Sequence, residues 1–259
     1  SLPVRSTPTT KVVQTLRSTT GADGVTSSYV ANFGDGTVLQ GQLLTGKPDS
    51  KSMLRRRAAN RGAFMTSQPL KFRDFLVGLS NTLMFSETVG AAVRNPGKSE
   101  VIRDVTGLSQ NPSLCLKAAA SDSATFWEFG RGSRWCDGRP VYSGFQTVLP
   151  PNAPSCTSEL GIDDLIVSAS SLHAGGVHVL MSDGAVVFIT DSIDAGDATK
   201  PGVAIGDGYA PPGSASPYGI WGALGSRASK ERIADGIRDT TPSYRTTRPK
   251  KPFAGTFWT

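Results

Sequence analysis

Two apolar runs, residues 177–181 (VHVLM) and 185–190 (AVVFIT), flank Asp183-Gly184. Short β-branched and aromatic runs around Asp-Gly predict a β-hairpin. The expected connection is a two-residue type I′ turn whose central positions both take positive φ. That closure pairs Ser182 with Ala185, Met181 with Val186, Leu180 with Val187 and Val179 with Phe188. Val177, Val179, Met181, Val186 and Phe188 then share one face, and His178, Leu180, Val187 and Ile189 the other. Both faces are largely apolar, so the hairpin is expected centrally in the fold, covered on two sides. Carried outward, the register sets His173 opposite Asp194, with Gly175 and Gly176 interrupting the ladder in a bulge. A contact there would orient the imidazole and fasten the loop entering the hairpin to the strand leaving it.

Upstream, Thr82, Met84, Ser86 and Thr88 alternate with Leu83, Phe85, Glu87 and Val89, the period of a half-buried strand. Glu87 falls on the apolar side and needs a partner if it is buried. SSYVANFGDGT (27–37) predicts a short strand and a Gly-Asp-Gly turn. Residues 49–65 carry three consecutive arginines, Arg55 to Arg57, read as an exposed helix or loop face. The loop-rich stretch 94–154 holds Trp127, Phe129, Trp135, Tyr142 and Phe145 among glycines, arginines and prolines. Such aromatics either cover a core through long connections or stack on sugars and bases. PYGIWGALGSRA (217–228) predicts a short helix or turn that docks Trp221 and Leu224. Residues 1–28 read as an extended lead-in, 29–228 as a β-rich domain and 229–259 as a basic arm. Phe253, Phe257 and Trp258 in that arm call for a surface to dock on.

A hydrophobic content of 38% over 259 residues suits a globular chain with a sizeable core. The net charge of +6 is concentrated in the arm: eight Lys/Arg stand against three Asp/Glu from Arg227 to Lys251. The body is therefore nearly neutral, and any nucleic-acid contact would be salt-sensitive and unspecific. No apolar run approaches the roughly 18 residues of a membrane span, and no charged-then-apolar signal peptide opens the chain.

Ser170 and Ser171 lie near His173, but no G-x-S-x-G elbow activates them, so no catalytic residue is assigned and no enzyme is expected. His173 and His178 are the two histidines of the chain. At i, i+5 in an extended segment they fall on opposite faces, and no metal is assigned to them. Asp163, Asp164, Asp183, Asp191 and Asp194 are hard-cation ligand types that leave calcium open, and no other cofactor is expected. Cys115, Cys136 and Cys156 lack metal-ligand spacing. A Cys115–Cys156 disulfide with Cys136 left over, and three free thiols, both fit the sequence.

His173, nine intervening residues and Asp183-Gly184 form an H-X9-DG signature, and other segments accompany it in order. Ser80, Asn81, Thr82, Leu83 and Glu87 belong to LSNTLMFSE (79–87), similar to a TSNTLxxGE segment. Gly132, Ser133, Arg134, Trp135, Asp137 and Gly138 belong to RGSRWCDGRPVYSGFQTVLPPNAPSC (131–156), similar to GSRWADG…GFNTVLPPNSPSC. DSIDAG (191–196) and WGALGSRA (221–228) follow. From about Tyr29 to Ala228 the chain resembles the prepilin-like H-X9-DG family, the planctomycete-type domain of unknown function 1559, related to type IV pilins and type II secretion pseudopilins. The resemblance implies an α+β, β-rich, pilin- or pseudopilin-like head with an antiparallel sheet and long loops, the N-terminal hydrophobic helix being absent. Cys136 stands where the family pattern has Ala, and the arm exceeds the usual end.

The resemblance further implies a non-enzymatic structural or assembly protein, a subunit of an extracytoplasmic filament, secretion or surface assembly. Such a protein works in the periplasm, at the cell surface or secreted. Its expected partners are further copies of itself or related subunits, with arm 229–259 docking on a neighbour. A calcium- or glycan-binding module of a secreted or surface complex is the alternative.

Overall fold

The structure, a computed structural model, describes residues 26–40, 49–66, 69–91, 93, 95, 97–127, 130–158 and 164–229. The arm from residue 230 onward, the lead-in up to residue 25, Phe129 and Asp163 lie outside the described residues. Among those described, the chain runs β1 (Tyr29–Asn32), α1 (Ser50–Ala59), β2 (Leu83–Glu87), β3 (Val101–Ile102), α2 (Leu114–Ala119), α3 (Pro140–Ser143), β4 (Gly144–Phe145), β5 (Ser155–Thr157), β6 (Leu165–Ile166), β7 (Gly176–Met181), β8 (Val186–Thr190) and α4 (Gly219–Gly225). The fold is α+β and β-rich, and no described helix is long and apolar enough to cross a membrane.

A five-stranded sheet, ordered β4-β1-β2-β7-β8, is antiparallel except where β4 joins β1. A smaller sheet orders β3-β5-β6. β7 and β8 form the expected hairpin, but one residue out of the expected register. Leu180 lies opposite Val186, Val179 opposite Val187 and His178 opposite Phe188. The connection spans Ser182, Asp183 and Gly184: Gly184 N–H donates to the Met181 carbonyl at 3.0 Å, and Met181 N–H to that of Ala185 at 2.8 Å. Of the two turn residues, positive φ falls on Gly184 alone, at 93°. This is the three-residue loop with a left-handed glycine, not the two-residue type I′ turn. Asp183 caps it by accepting the Ala185 N–H at 3.0 Å.

The shift by one residue re-sorts the side chains. Val177, Val179, Met181 and Ile189 are buried, whereas Val186 and Phe188 are exposed on the opposite face with His178 and Leu180. Among the described residues the hairpin is therefore covered on one side, and β8 is an edge strand. Nor do Gly175 and Gly176 break the ladder, for pairing runs through Gly176 and Thr190. A side chain at Gly176 would meet the Ile189 carbonyl at 2.2 Å and the Phe188 ring at 2.8 Å, so the close pairing there admits only glycine.

β2 also departs from simple alternation. Its register against β7 slips between Leu83 and Phe85. Leu83, Ser86 and Thr88 face inward, and Phe85 and Glu87 turn outward. Inside, Val30, Leu83, Phe145, Val179 and Met181 pack with Trp221 and Leu224 of α4. A second cluster joins Ile102, Leu108, Val148, Leu149, Ile166 and Tyr218. The arginine run lies on α1, capped by Asp49, whose carboxylate accepts the Ser52 N–H at 2.6 Å. Arg55 and Arg57 are exposed there, but Arg56 is buried.

Cys115 on α2 is bonded to Cys156 on β5, and Cys136 is a half-buried free thiol. Arg131, completely buried, donates to the carbonyls of Pro140 at 2.9 Å, Val141 at 3.0 Å and Gly144. Burial pushes its pKa down to about 9, and it remains a cation at neutral pH held by backbone oxygens. Arg61 pairs with buried Asp35, and Arg227 donates to the Asn60 carbonyl at 2.8 Å and to that of Gly62.

Two stability measurements follow. Reducing the disulfide, which spans 41 residues of sequence, is expected to lower the unfolding free energy by about 4 kcal/mol on the loop-entropy scale, read from urea titrations with and without reductant. Arg131→Met removes three buried hydrogen bonds to carbonyls, of which Pro140 keeps the Gly144 N–H as a second donor, and is expected to cost on the order of 3 kcal/mol in the same assay. A wild-type midpoint for that variant would show that the carbonyls find other donors.

Candidate functional site

The outer face of the five-stranded sheet carries the polar chemistry. Cross-strand register aligns Tyr29 with Glu87 on β1 and β2, and His178 with Phe188 on β7 and β8. Glu87 Oε2 accepts the His178 backbone N–H at 2.8 Å and lies 3.5 Å from His178 Nδ1. Its other oxygen, Oε1, lies 3.3 Å from His173 Nε2. The two imidazoles meet edge to face with ring centroids 4.9 Å apart, and His178 makes a similar contact with Phe188 at 5.0 Å.

Local backbone explains how residues i and i+5 meet. Gly175 takes a φ of 78°, which turns the chain immediately before β7. Ser171 Oγ accepts the His173 N–H at 3.1 Å and donates to the Gly176 carbonyl at 2.6 Å, drawing His173 back over the strand start. Ser170 N–H donates to the Glu87 carbonyl at 3.2 Å, and Ser170 Oγ accepts the Val89 N–H at 3.0 Å. Both serines are thus part of the scaffold that ties this loop to the end of β2. Beside the cluster a cleft of about 220 Å³ is lined by Tyr29, Glu87, Val89, Ser170, Leu172 and His173.

His173 therefore partners Glu87 and not Asp194. Asp194 accepts the Gly196 N–H on its side chain at 2.9 Å, and the Trp221 N–H on its carbonyl at 2.9 Å, anchoring α4. The expectation that the two histidines occupy opposite faces fails for the same reason: positive φ at Gly175 ends the extended geometry it assumed. Glu87 has the partners its sequence position demanded, although it points outward.

Asp163 lies outside the described residues, and the other aspartates considered for calcium are engaged in local contacts. Asp164 accepts from Ser109 at 2.8 Å, Asp191 from Asn152 at 2.7 Å, and Asp183 caps the hairpin. Among the described residues, ligand atoms of His, Cys, Asp and Glu converge in a group of three at Glu87, His173 and His178.

The remaining motif residues shape backbone. Ser80 is exposed in a 3-10 turn spanning Leu79–Asn81, Asn81 donates to the Val77 carbonyl at 3.0 Å, and Thr82 to that of Gly78 at 3.0 Å. Gly132 exchanges backbone bonds with Ser27 and Tyr142, and Ser133 donates to the Gly130 carbonyl at 2.7 Å. Asp137 binds Arg139, and the guanidinium carbons of Arg134 and Arg139 each lie 5.0 Å from the centre of the buried Tyr142 ring. Trp135 is exposed, and Gly138 lies in irregular backbone before α3. Arg131, the buried cation that organises this loop, gives no periodic signal in sequence. Its place at the head of the motif segment was the available clue.

No curated protein and no solved structure matches this chain. A family model described as "Protein of unknown function (DUF1559)" matches residues 5–196. That stretch covers well over half of the chain and includes Glu87, His173 and Asp183-Gly184. The chain belongs to the DUF1559 family.

Proposed function

We propose that this chain is a non-enzymatic, pilin- or pseudopilin-like subunit of an extracytoplasmic assembly, and that it docks through the outer face of its five-stranded sheet. The observation that carries this reading is the apolar character of that face. Tyr29 and Val186 are each 67% exposed and Phe188 37%. Phe85 and Leu180 lie half-buried in the row that Val186 ends, paired across β2 and β7, with Phe64 packed on Phe85 at 5.1 Å. An exposed apolar patch such as Phe85, Leu180, Val186 and Phe188 make across three strands, bordered by polar groups, is characteristic of an interaction site. β8 adds an edge whose backbone groups can extend a ladder into a neighbour.

The Cys115–Cys156 bond supports an oxidising compartment, in the periplasm, at the surface or outside the cell. In this reading the favoured occupant is a second copy or a related subunit, and arm 229–259 reaches across to it.

Sedimentation of the full chain over a concentration series tests the proposal. Wild type is expected to gain mass with concentration, and Val186→Lys with Phe188→Ser to stay monomeric. Both side chains are exposed, so the variant is expected to keep the wild-type fold by circular dichroism. A wild-type chain that remains monomeric at its solubility limit would overturn self-association.

A further inference from the structure

We infer that Glu87, His173 and His178 form a binding site for a divalent transition-metal ion, with zinc the best match to the donor set. Two imidazole nitrogens and one carboxylate are borderline donors of the kind that select zinc and its neighbours over calcium or magnesium. The three contributing atoms lie within 4.8 Å of one another. Each imidazole nitrogen faces its own oxygen of the one carboxylate, His173 Nε2 at 3.3 Å from Oε1 and His178 Nδ1 at 3.5 Å from Oε2, distances comparable with the roughly 3.3 Å ligand–ligand edge of a tetrahedron with metal bonds of about 2.0–2.1 Å.

The ligands come from independently fixed places. Glu87 ends β2 and is held by the His178 backbone N–H. His178 is within β7 and has its ring against Phe188. His173 is on the loop that Ser171 folds back. A site assembled from a strand end, a neighbouring strand and a braced loop needs little backbone movement to close on an ion. The side chains of His173 and His178 are 54% and 43% exposed, so water or a ligand from outside can complete the coordination. Glu87 supplies the negative charge that a hydrogen-bonded imidazole pair alone would lack. A plain hydrogen-bonded cluster explains the same distances without an ion, and the experiment separates the two.

The full chain, made without a polyhistidine tag and stripped with a chelator, is titrated with zinc by calorimetry. Its imidazole proton resonances are followed in parallel. Because the chain has two histidines, both sets of ring signals belong to this cluster and report on the wild-type protein directly. One zinc per chain is expected, with both imidazoles shifting together, and calcium leaving them unmoved. Glu87→Gln is expected to bind at least about tenfold more weakly, and His173→Gln with His178→Gln to lose the stoichiometric binding. Unshifted imidazoles in the presence of zinc would overturn the site, whether or not zinc binds elsewhere. So would stoichiometric binding that survives the double substitution. Self-association is read separately, from mass, so failure of the metal site and failure of self-association are distinguishable.

Discussion

Trp221 closes the inner face of the five-stranded sheet, and the arrangement of that sheet depends on it. Its indole is fully buried, lies against Phe145 with ring centroids 6.2 Å apart, and donates to the Leu149 carbonyl at 2.9 Å. The helix that carries it, α4, has seven residues, too few to be stable alone in water. It forms because both ends are fastened. The Asp194 carbonyl receives the Trp221 N–H at one end, and Arg227 reaches the Asn60 and Gly62 carbonyls beyond the other. A segment following the hairpin thus returns to cap the sheet from within, leaving the opposite face to solvent.

Which side Glu87 faces is decided by the irregularity in β2. With strict alternation Glu87 would share the face of Leu83, among Val30, Val179 and Met181. An unpaired carboxylate there would cost several kcal/mol or force the group to neutralise. The slip in register between Leu83 and Phe85 keeps Leu83 inside and puts Glu87 outside. Outside, it meets a backbone N–H and two imidazoles. One extra residue in a strand therefore converts an apparent core conflict into a site.

Much of the scaffold was legible in the sequence: the hairpin around Asp183-Gly184, a strand within residues 82–89 and a short helix or turn docking Trp221 and Leu224. Their period and turn residues are local properties, and local properties survive into the fold. Register was not legible. Asp-Gly serves a two-residue turn and a three-residue loop equally well, and the choice between them exchanges Val186 and Phe188 with Val187 and Ile189 across the sheet. The histidine cluster was hidden for a related reason. Its geometry depends on a positive φ at Gly175 and a serine bridge from Ser171, neither of which a spacing of five residues encodes. Arg131 was hidden because a buried arginine held by carbonyls has no periodicity and no partner of opposite charge to look for.

The polar cluster and the apolar face are the same surface, and this constrains both readings. His178 touches Phe188, and Glu87 is only 19% exposed in its side chain before any partner arrives. A neighbour that covers Phe188 also removes water from Glu87 and His178. Desolvating an ionised carboxylate is tolerable only when its partners remain and their geometry is good. The cluster meets that condition within one chain, since the His178 N–H and two imidazoles already surround the carboxylate. A divalent ion would meet it more fully, replacing hydrogen bonds to one charge with direct bonds from three ligands. A misregistered neighbour would meet the same buried charge without satisfying its remaining lone pairs. On an otherwise apolar face, which by itself fixes no register, that penalty would make Glu87 and its histidines the group that selects one arrangement of any neighbour docked there.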